Sequence, residues 1–369
     1  MSLVQRLPEG PLDVVGDIHG EIGAMRQLLG HLGYDGAGHH AEGRRLVFVG
    51  DFCDRGPDSP AVLRLILPML ASGQALAVLG NHEINLLRDD AKDGSGWYFD
   101  SRRMSDEARY APFARMPMDE APAMLAQLAQ LPIALERDDL RVVHAAWCAP
   151  QIATARGLAA SGARSAYDDY EDLAARRARA SDVAGRMQEE RRQWPHSLED
   201  HGQKPPFLPA HSERELGKSM VNPLKVLTAG VERECRTPFY AGGKWRFVQR
   251  VAWWNEYADA PAVIVGHYWR RLQPGDAPAH GPQAENLFGH TPPLAWHGLR
   301  GNVFCVDYSV GGRWLARQQG EDPNRRFKLA AMRWPERELV FDDGTRFASQ
   351  GYGAPMQAGA SPVLNPTST

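Results

Sequence analysis

Three short polar segments near the N-terminus combine carboxylate, imidazole and amide side chains, a set of groups that can bind metal ions. They are residues 16–20 (GDIHG), 50–56 (GDFCDRG) and 80–83 (GNHE), and they recur about thirty residues apart. Such oxygen and nitrogen ligands suit Mn, Fe or Zn, whereas a closed structural zinc site is expected to use thiolates. No Cys-x-x-Cys pair occurs in the sequence. The segments therefore predict most of a dinuclear metal site.

The surrounding sequence predicts how these segments come together. Strand-like runs precede them at residues 12–15, 45–49 and 75–79, and helical periodicity follows at residues 22–32 and 61–70. This is a βαβαβ pattern, and loops at the carboxyl ends of parallel strands converge at one edge of the sheet. We therefore expect ligands that are distant in sequence to be neighbours in space.

In this order, the three segments resemble the signature of the phosphoprotein-phosphatase type of calcineurin-like metallophosphoesterases. That family includes Ser/Thr protein phosphatases, bacterial diadenosine tetraphosphatases and polynucleotide phosphatases. The resemblance implies an α/β fold, a four-layer sandwich of two mixed β-sheets flanked by helices. It also implies two later metal-binding histidines, each closing a strand, and the chain supplies them as His144 and His267.

The resemblance also implies a role for each site residue. The metal ligands would be Asp17 and His19 for the first ion, Asp51 as the bridge, and Asn81, His144 and His267 for the second ion. Two divalent cations, Mn by preference and otherwise Fe or Zn, would lower the pKa of a shared water, and the resulting hydroxide would attack phosphorus. His82 would protonate the departing oxygen, and Asp54 would orient the His82 imidazole and favour its protonated form.

Phosphate oxygens also need donors from the protein, and guanidinium groups bind them bidentately. Arg55 and Asn81, inside the segments, are the first candidates for phosphate binding. The resemblance implies a second arginine upstream of the final histidine. Arg250 fits best by its distance from that histidine, with Arg236 and Arg246 as alternatives.

These residues predict a metal-dependent, Ser/Thr-phosphatase-like hydrolase that acts on phosphate monoesters, either on a phosphoprotein or on a small phosphomonoester. The enzymatic alternative is a hydrolase of nucleoside polyphosphates such as diadenosine tetraphosphate, or a polynucleotide-end phosphatase. The non-enzymatic alternative is a module that binds metal and phosphate without catalysis. The intact set of ligands, the acid pair and Arg55 argue against the silent module.

Composition restricts the partners. The chain has 369 residues and a formal net charge of −3, so it lacks the overall basic character of a protein that binds extended nucleic acid. The expected partner is a phosphorylated substrate. No apolar run approaches 20 residues and no signal-peptide pattern is present, so we expect a cytoplasmic enzyme without a membrane partner. The four scattered cysteines fit reduced thiols.

We expect one metallophosphoesterase domain over residues 10–349, with helical insertions at about 95–131 and 155–235 and a disordered tail at 350–369. The second insertion is polar and alanine-rich, and its acidic residues precede its basic ones, as suits helix dipoles. Both insertions leave from strand ends that carry ligands. Two roles for the insertions are open, a cap over the site and a peripheral decoration.

Strand character resumes after the second insertion. Strands are expected at residues 301–307, near 313–317, at 327–334 and at 338–341, as a meander that resembles the second sheet of the family. Two tryptophans lie close to ligands, since Trp147 follows His144 by three residues and Trp269 follows His267 by two. They could stack on a nucleobase, but packing beneath the site is the favoured role of both.

Overall fold

The protein is built on two large β-sheets and twelve α-helices, in a computed structural model that describes residues 2–158, 162–241, 243–272 and 287–354. The strands are β1 (Val4–Arg6), β2 (Leu12–Val15), β3 (Arg45–Phe48), β4 (Ala75–Ala77), β5 (Ala134–Glu136), β6 (Leu140–Val143), β7 (Glu232–Ala241), β8 (Lys244–Arg250), β9 (Ala262–Val265), β10 (Val303–Cys305), β11 (Ala330–Trp334), β12 (Glu338–Phe341) and β13 (Arg346–Ala348). The helices are α1 (Ile22–Leu32), α2 (Ser59–Ala71), α3 (Asn81–Leu87), α4 (Asp100–Tyr110), α5 (Ala121–Leu128), α6 (Ala149–Gly157), α7 (Gly162–Ala180), α8 (Val183–Gln193), α9 (Pro209–Met220), α10 (Pro223–Ala229), α11 (Arg313–Gln318) and α12 (Pro323–Arg326).

The first sheet contains the predicted βαβαβ unit. Its strand order is β13-β12-β11-β2-β3-β4, and β2, β3 and β4 are parallel. Helix α1 ends at Gly33, whose φ of 92° lies in the left-handed region that favours glycine. Helix α2 begins after Asp58, whose carboxylate accepts the N–H of Ala61. The loops after β2, β3 and β4 therefore leave the same edge of the sheet, as the sequence predicts.

The second sheet supplies the remaining strand ends. Its order is β1-β5-β6-β9-β10, with β6, β9 and β10 parallel to one another. An apolar core lies between the two sheets and includes Val14 and Val47 from the first and Val142, Ile264 and Phe304 from the second. A second apolar core lies between the outer face of the first sheet and helices such as α1 and α2. The predicted four-layer α/β sandwich is confirmed.

The C-terminal strands differ from the expectation. Strands β11, β12 and β13 extend the first sheet, because β11 pairs antiparallel with β2 and its Met332 lies opposite Val14. Only β10 joins the second sheet. Residues 313–317, expected as a strand, belong to helix α11, where the Arg313 guanidinium is buried against Asp342 and Trp314 packs inward. The assignment of the whole meander to the second sheet is wrong.

The second insertion is helical over α7 to α10 but ends in a β-hairpin that the sequence pattern missed. Strands β7 and β8 form a separate two-stranded sheet with a register shift between Glu234 and Phe239. Charged residues occupy four of the ten positions of β7, and its few buried positions do not alternate regularly, so the period of two is obscured. Across the described residues, no helix combines the length and apolar character needed to span a bilayer.

The start of the predicted tail is held in place. The Gln350 carbonyl accepts the N–H of Trp296, the Gly353 N–H donates to the Gly301 carbonyl, and the Tyr352 ring packs edge-on against Trp296. Residues 350–354 therefore add backbone hydrogen bonds beside the second sheet. Residues 355–369 of the predicted tail lie outside the described residues, and the domain boundaries stay predictions.

Candidate dinuclear metal centre

The structure brings the sequence-predicted ligands together at the carboxyl ends of five strands. Asp17, Asp51 and Asn81 follow β2, β3 and β4 of the first sheet, and His144 and His267 follow β6 and β9 of the second. The two sheets thus present their strand ends to one point. The carboxylates and imidazoles among these ligands are almost completely buried, and Asn81 is half-buried.

Four of these residues form one compact cluster. His144 Nε2 lies 3.3 Å from Asp51 Oδ2 and 3.2 Å from Asn81 Oδ1. His267 Nδ1 lies 2.9 Å from the same Asn81 oxygen. These four side chains, two imidazoles, one carboxylate and one amide, match the predicted ligands of the second ion.

A second cluster shares Asp51. His19 Nε2 lies 3.8 Å from Asp51 Oδ2 and 4.0 Å from Asp17 Oδ2. His82 Nε2 also lies 3.8 Å from Asp51 Oδ2. One group of potential ligand atoms is formed by His19, Asp51 and His82, and another by Asp51, His144 and His267. Asp51 is common to both groups, which is the position a bridging carboxylate requires.

Backbone carbonyls fix the orientation of two ligand imidazoles. His19 Nδ1 lies 3.0 Å from the Cys53 carbonyl oxygen, and His144 Nδ1 lies 2.8 Å from that of Val49. Such bonds require a proton on Nδ1, so Nε2 of each ring faces the centre.

The electrostatics of the centre fit cations. Burial raises the pKa of Asp17, and the nearby Asp307 charge raises it further. Burial also lowers the pKa of His19 and His267, which favours neutral imidazoles. Divalent cations would offset the repulsion between the carboxylates, and neutral imidazole nitrogens with carboxylate and amide oxygens are donors that suit such cations, so the residues present fit the implied metals.

Asp51 and His144 are strongly coupled. Burial alone would raise the pKa of Asp51, but His144 and His82 outweigh burial and hold that pKa well below its usual range. Burial would lower the pKa of His144, but the charge and hydrogen bond of Asp51 raise it to about 10. Asp51 is thus held as a carboxylate at the point where two cations would meet.

The site loops carry unusual backbone conformations. His19, Asp51 and His267 have φ values of 47°, 51° and 71°, in the left-handed region that non-glycine residues rarely adopt. At Gly80 a Cβ would lie 2.1 Å from Asp51 Oδ1, and at Gly266 a Cβ would lie 2.0 Å from Asp17 Oδ1. These two glycines are therefore required for the backbone to approach the carboxylates so closely.

Glu83 caps α3 and also binds the neighbouring ligand-bearing loop. Its carboxylate accepts the N–H of Gly80, which caps the helix, and also the N–H groups of Asp51 and Phe52 at 2.8 Å each. The side chain is fully buried. Glu83 therefore ties the ligand-bearing loop after β3 to the one after β4.

The predicted acid pair is present. His82 Nδ1 lies 2.5 Å from Asp54 Oδ2, and the Trp97 indole N–H donates to Asp54 Oδ1 at 2.5 Å. His82 Nε2 is left to face Asp51 and the centre. Trp97 was not predicted as a site residue, because it lies 43 positions from Asp54 in the first insertion.

The arginines occupy different positions around the centre. Arg55 is half-buried, with its Nη1 3.1 Å from His19 Nε2. Arg250 is exposed at the end of β8, and its charge contributes to lowering the pKa of His267. The alternative Arg236 is exposed within β7, and Arg246 donates to the Ala241 carbonyl. Of the three candidates for the second phosphate-binding arginine, Arg250 is the one whose charge lowers the pKa of a proposed metal ligand.

One acidic site residue was missed. Asp307 is buried two residues beyond β10, and its carboxylate accepts the N–H groups of Trp269 and Ser309 at 2.7 and 2.8 Å. Burial raises its pKa to about 6. The available signal was its position, because it is an acid at the end of another strand of the same parallel set.

Both insertions contact the ligand-bearing elements. In the first, the Gly94 carbonyl accepts the Arg55 N–H just before Trp97. In the second, Tyr167 is buried beneath Arg88, which directly follows α3 and is also paired with Asp168 at 2.6 Å. The Leu227 carbonyl accepts the N–H of Ala145, the residue after His144. Parts of each insertion are therefore packed into the structure beside the site.

Comparison with known proteins agrees with the family resemblance over part of the chain. Residues 10–134 match the family model described as calcineurin-like phosphoesterase. This part of the chain is therefore similar to the calcineurin-like metallophosphoesterases, as its segments predict. Members of this family depend on two metal ions, and this chain has the corresponding candidate residue groups.

Particular relatives carry more specific names. A bis(5'-nucleosyl)-tetraphosphatase PrpE [asymmetrical] of Oceanobacillus iheyensis is 40% identical over 80 residues, which is 21% of this chain and 32% of the relative. A symmetrical bis(5'-nucleosyl)-tetraphosphatase of Ralstonia nicotianae is 31% identical over 153 residues, 42% of this chain and 47% of the relative. The chain thus spans between a third and a half of the length of these relatives.

A solved structure also aligns with most of the chain. The cold-active protein-tyrosine phosphatase of a psychrophilic Shewanella species is 17% identical, with a TM-score of 0.46 over 94% of this chain and 83% of that one.

Proposed function

We propose that this protein is a metal-dependent hydrolase of phosphoric esters or anhydrides. The observation that carries the proposal is the convergence of two buried ligand clusters on Asp51, beside the His82–Asp54 pair. The residues proposed to hold two divalent cations, with Mn the first to test, are Asp17, His19, Asp51, Asn81, His144 and His267. When bound, the cations would lower the pKa of a water molecule and neutralise phosphate charge.

The protein's own residues have separate tasks in this proposal. Arg55 and Arg250, with the Asn81 amide, bind the phosphate oxygens. The water gives a proton to solvent and its oxygen bonds to phosphorus as the P–O bond to the leaving group breaks, while His82 Nε2 gives its own proton to the departing oxygen. Asp54 holds the ring by its other nitrogen, 2.5 Å away, so that Nε2 faces the reacting atoms.

We propose dinucleoside tetraphosphates as the first substrate class to test. The names of the relatives support it. A phosphate monoester, on a protein or a small molecule, is the competing outcome.

A substrate panel tests the proposal. Mn-loaded protein is assayed with diadenosine tetraphosphate, a phosphoserine peptide, a mononucleotide and an oligonucleotide with a 2′,3′-phosphate end. We expect the highest kcat/KM for diadenosine tetraphosphate, and the products identify the bond cleaved, ATP with AMP or two ADP. A higher value for the peptide or mononucleotide would replace this substrate class by a monoester. Phosphate binding without turnover of any substrate would instead support the silent module.

A further inference from the structure

Trp269 is in contact with Arg55, which is proposed to bind phosphate, and with His19, which is proposed to bind metal. The Arg55 guanidinium carbon lies 5.2 Å from the centroid of the indole, and the His19 ring lies 6.0 Å from it. At this distance a guanidinium is attracted to the face of an indole. The contact differs from the packing role that the sequence favours for this residue.

The backbone of Trp269 is held in an unfavourable conformation. Its φ is 52°, two residues after His267 with a φ of 71°. A bulky residue adopts this region only when its surroundings impose it. The constraint here is Asp307, whose Oδ2 accepts the Trp269 N–H at 2.7 Å while Oδ1 accepts that of Ser309. Asp307 is itself 2% exposed, so the anchor is rigid.

We propose that Trp269 is a positioning residue for the Arg55 guanidinium and that Asp307 acts through Trp269. The inference rests on the proposed phosphate-binding role of Arg55. An arginine side chain has many rotamers, and phosphate binding restricts it to a few of them at a cost in conformational entropy. A guanidinium that already lies over a ring face keeps its N–H groups, which are in its plane, available to phosphate oxygens.

The other tryptophan beside a ligand provides a contrast. Trp147 is buried, and the guanidinium over its ring belongs to Arg141, which is bound to Asp259 at 2.5 Å. That arrangement joins neighbouring elements and includes no proposed phosphate donor. Only the Trp269 contact therefore connects an indole to the clamp within the described residues.

A double-mutant cycle tests the inference. The single variants are Trp269→Leu, Trp269→Phe, Asp307→Asn and Arg55→Ala. Each of the first three is also combined with Arg55→Ala. The probe is inorganic phosphate, whose Kd is measured by calorimetry on Mn-loaded protein, together with kcat and KM for p-nitrophenyl phosphate. We expect Trp269→Leu to weaken phosphate binding by about 3- to 30-fold and to raise KM more than it lowers kcat. Trp269→Phe should retain part of the affinity, and Asp307→Asn should resemble Trp269→Leu.

In the Arg55→Ala background the same changes should have no further effect on phosphate Kd. Equal losses of phosphate affinity in the wild-type and Arg55→Ala backgrounds would overturn the inference, and so would the absence of a loss in the wild-type background. Either result would leave the proposed function intact. A wild-type protein that fails to bind phosphate would overturn both. If Trp269→Leu fails to fold, Trp269→Phe alone tests the inference, because its smaller loss of phosphate affinity must also vanish in the Arg55→Ala background. Tyr352→Leu is the matched control, because it removes the Arg337–Tyr352 stack beyond the opposite end of β11.

Discussion

His82 and Asp54 are joined through Nδ1 of the imidazole and Oδ2 of the carboxylate, 2.5 Å apart. Because this contact uses Nδ1, the nitrogen that faces Asp51 is Nε2, at 3.8 Å from that carboxylate. The other Asp54 oxygen is bound by the Trp97 indole N–H. The ring is therefore oriented by two residues that lie on different elements, and it presents one nitrogen to the centre.

Replacing His82 by Ala should reduce turnover according to the leaving group. For an alkyl phosphate, whose departing oxygen needs a proton, we expect a loss of about 10²- to 10⁴-fold in kcat. For p-nitrophenyl phosphate the loss should be smaller, and metal content should not change. Steady-state kinetics on both substrates measure the difference. His39→Ala is the control, since His39 forms a comparable pair with Asp35 on the surface. Equal losses for both esters would assign His82 a structural role.

Glu83 should be required for the stability of the ligand loops. Glu83→Gln places an amide where the carboxylate now accepts three backbone N–H groups, including that of Asp51. We expect the free energy of unfolding to fall by about 1–3 kcal/mol, because a buried donor loses its partner, and metal retention to weaken. Urea denaturation and metal analysis measure the two effects, with the exposed Glu42→Gln as control. An unchanged urea midpoint would show that the loops hold without this carboxylate.

The start of the second insertion should contribute to the core. Tyr167 is 6% exposed and belongs to the same apolar cluster as Ile84 and Leu87 of α3. Tyr167→Ala should lower the free energy of unfolding by about 3 kcal/mol or more, whereas Tyr170→Ala, half-buried on the same helix, should cost less. Thermal denaturation of both variants makes the comparison. Equal small effects would mean that α7 is a decoration whose removal the scaffold tolerates.

Acid stability should depend on the Lys328–Asp343 pair, whose atoms Nζ and Oδ2 are 2.6 Å apart. Burial raises the pKa of Asp343, but hydrogen bonds from Lys328 and Thr345 outweigh it and lower the pKa from 3.8 to about 2. A carboxyl group whose pKa is lower in the folded state stabilises the protein at pH values above its pKa in the unfolded state. This stabilisation is lost as the pH falls toward 2. Lys328→Met should therefore lower the urea midpoint at pH 5 and less at pH 2.5. The same difference in urea midpoint at both pH values would contradict this role of the Lys328–Asp343 pair. The side chains are partly exposed, so salt should reduce the effect.

The ligand set could be predicted because each ligand lies in a short segment directly after a strand. Parallel strand ends meet at one edge regardless of what connects them, so His144 and His267 could be expected beside Asp51 although long insertions intervene. Their distances of a few ångströms to Asp51 and Asn81 follow from that topology.

The supporting contacts could not be predicted in the same way. Trp97 reaches Asp54 across 43 positions and Trp269 is held by Asp307 across 38, and neither contact leaves a local periodicity. Sheet membership is equally non-local, since β11 pairs with β2 through residues such as Met332 and Val14 that any buried strand can carry. These features depend on which surfaces meet, and the sequence pattern describes each surface alone.

The most direct test of the proposed function is the metal content and turnover of the Asp51→Asn variant. Wild-type protein, stripped with chelator and reconstituted with Mn, should bind two ions per chain and hydrolyse diadenosine tetraphosphate or p-nitrophenyl phosphate, whereas the chelated protein should be inactive. Asp51→Asn removes the charge that both clusters share, so it should lose most of the bound metal and most of the turnover. The exposed Asp343→Asn should retain both. Two ions and a near-normal rate in Asp51→Asn would contradict the assignment of this residue as the bridge.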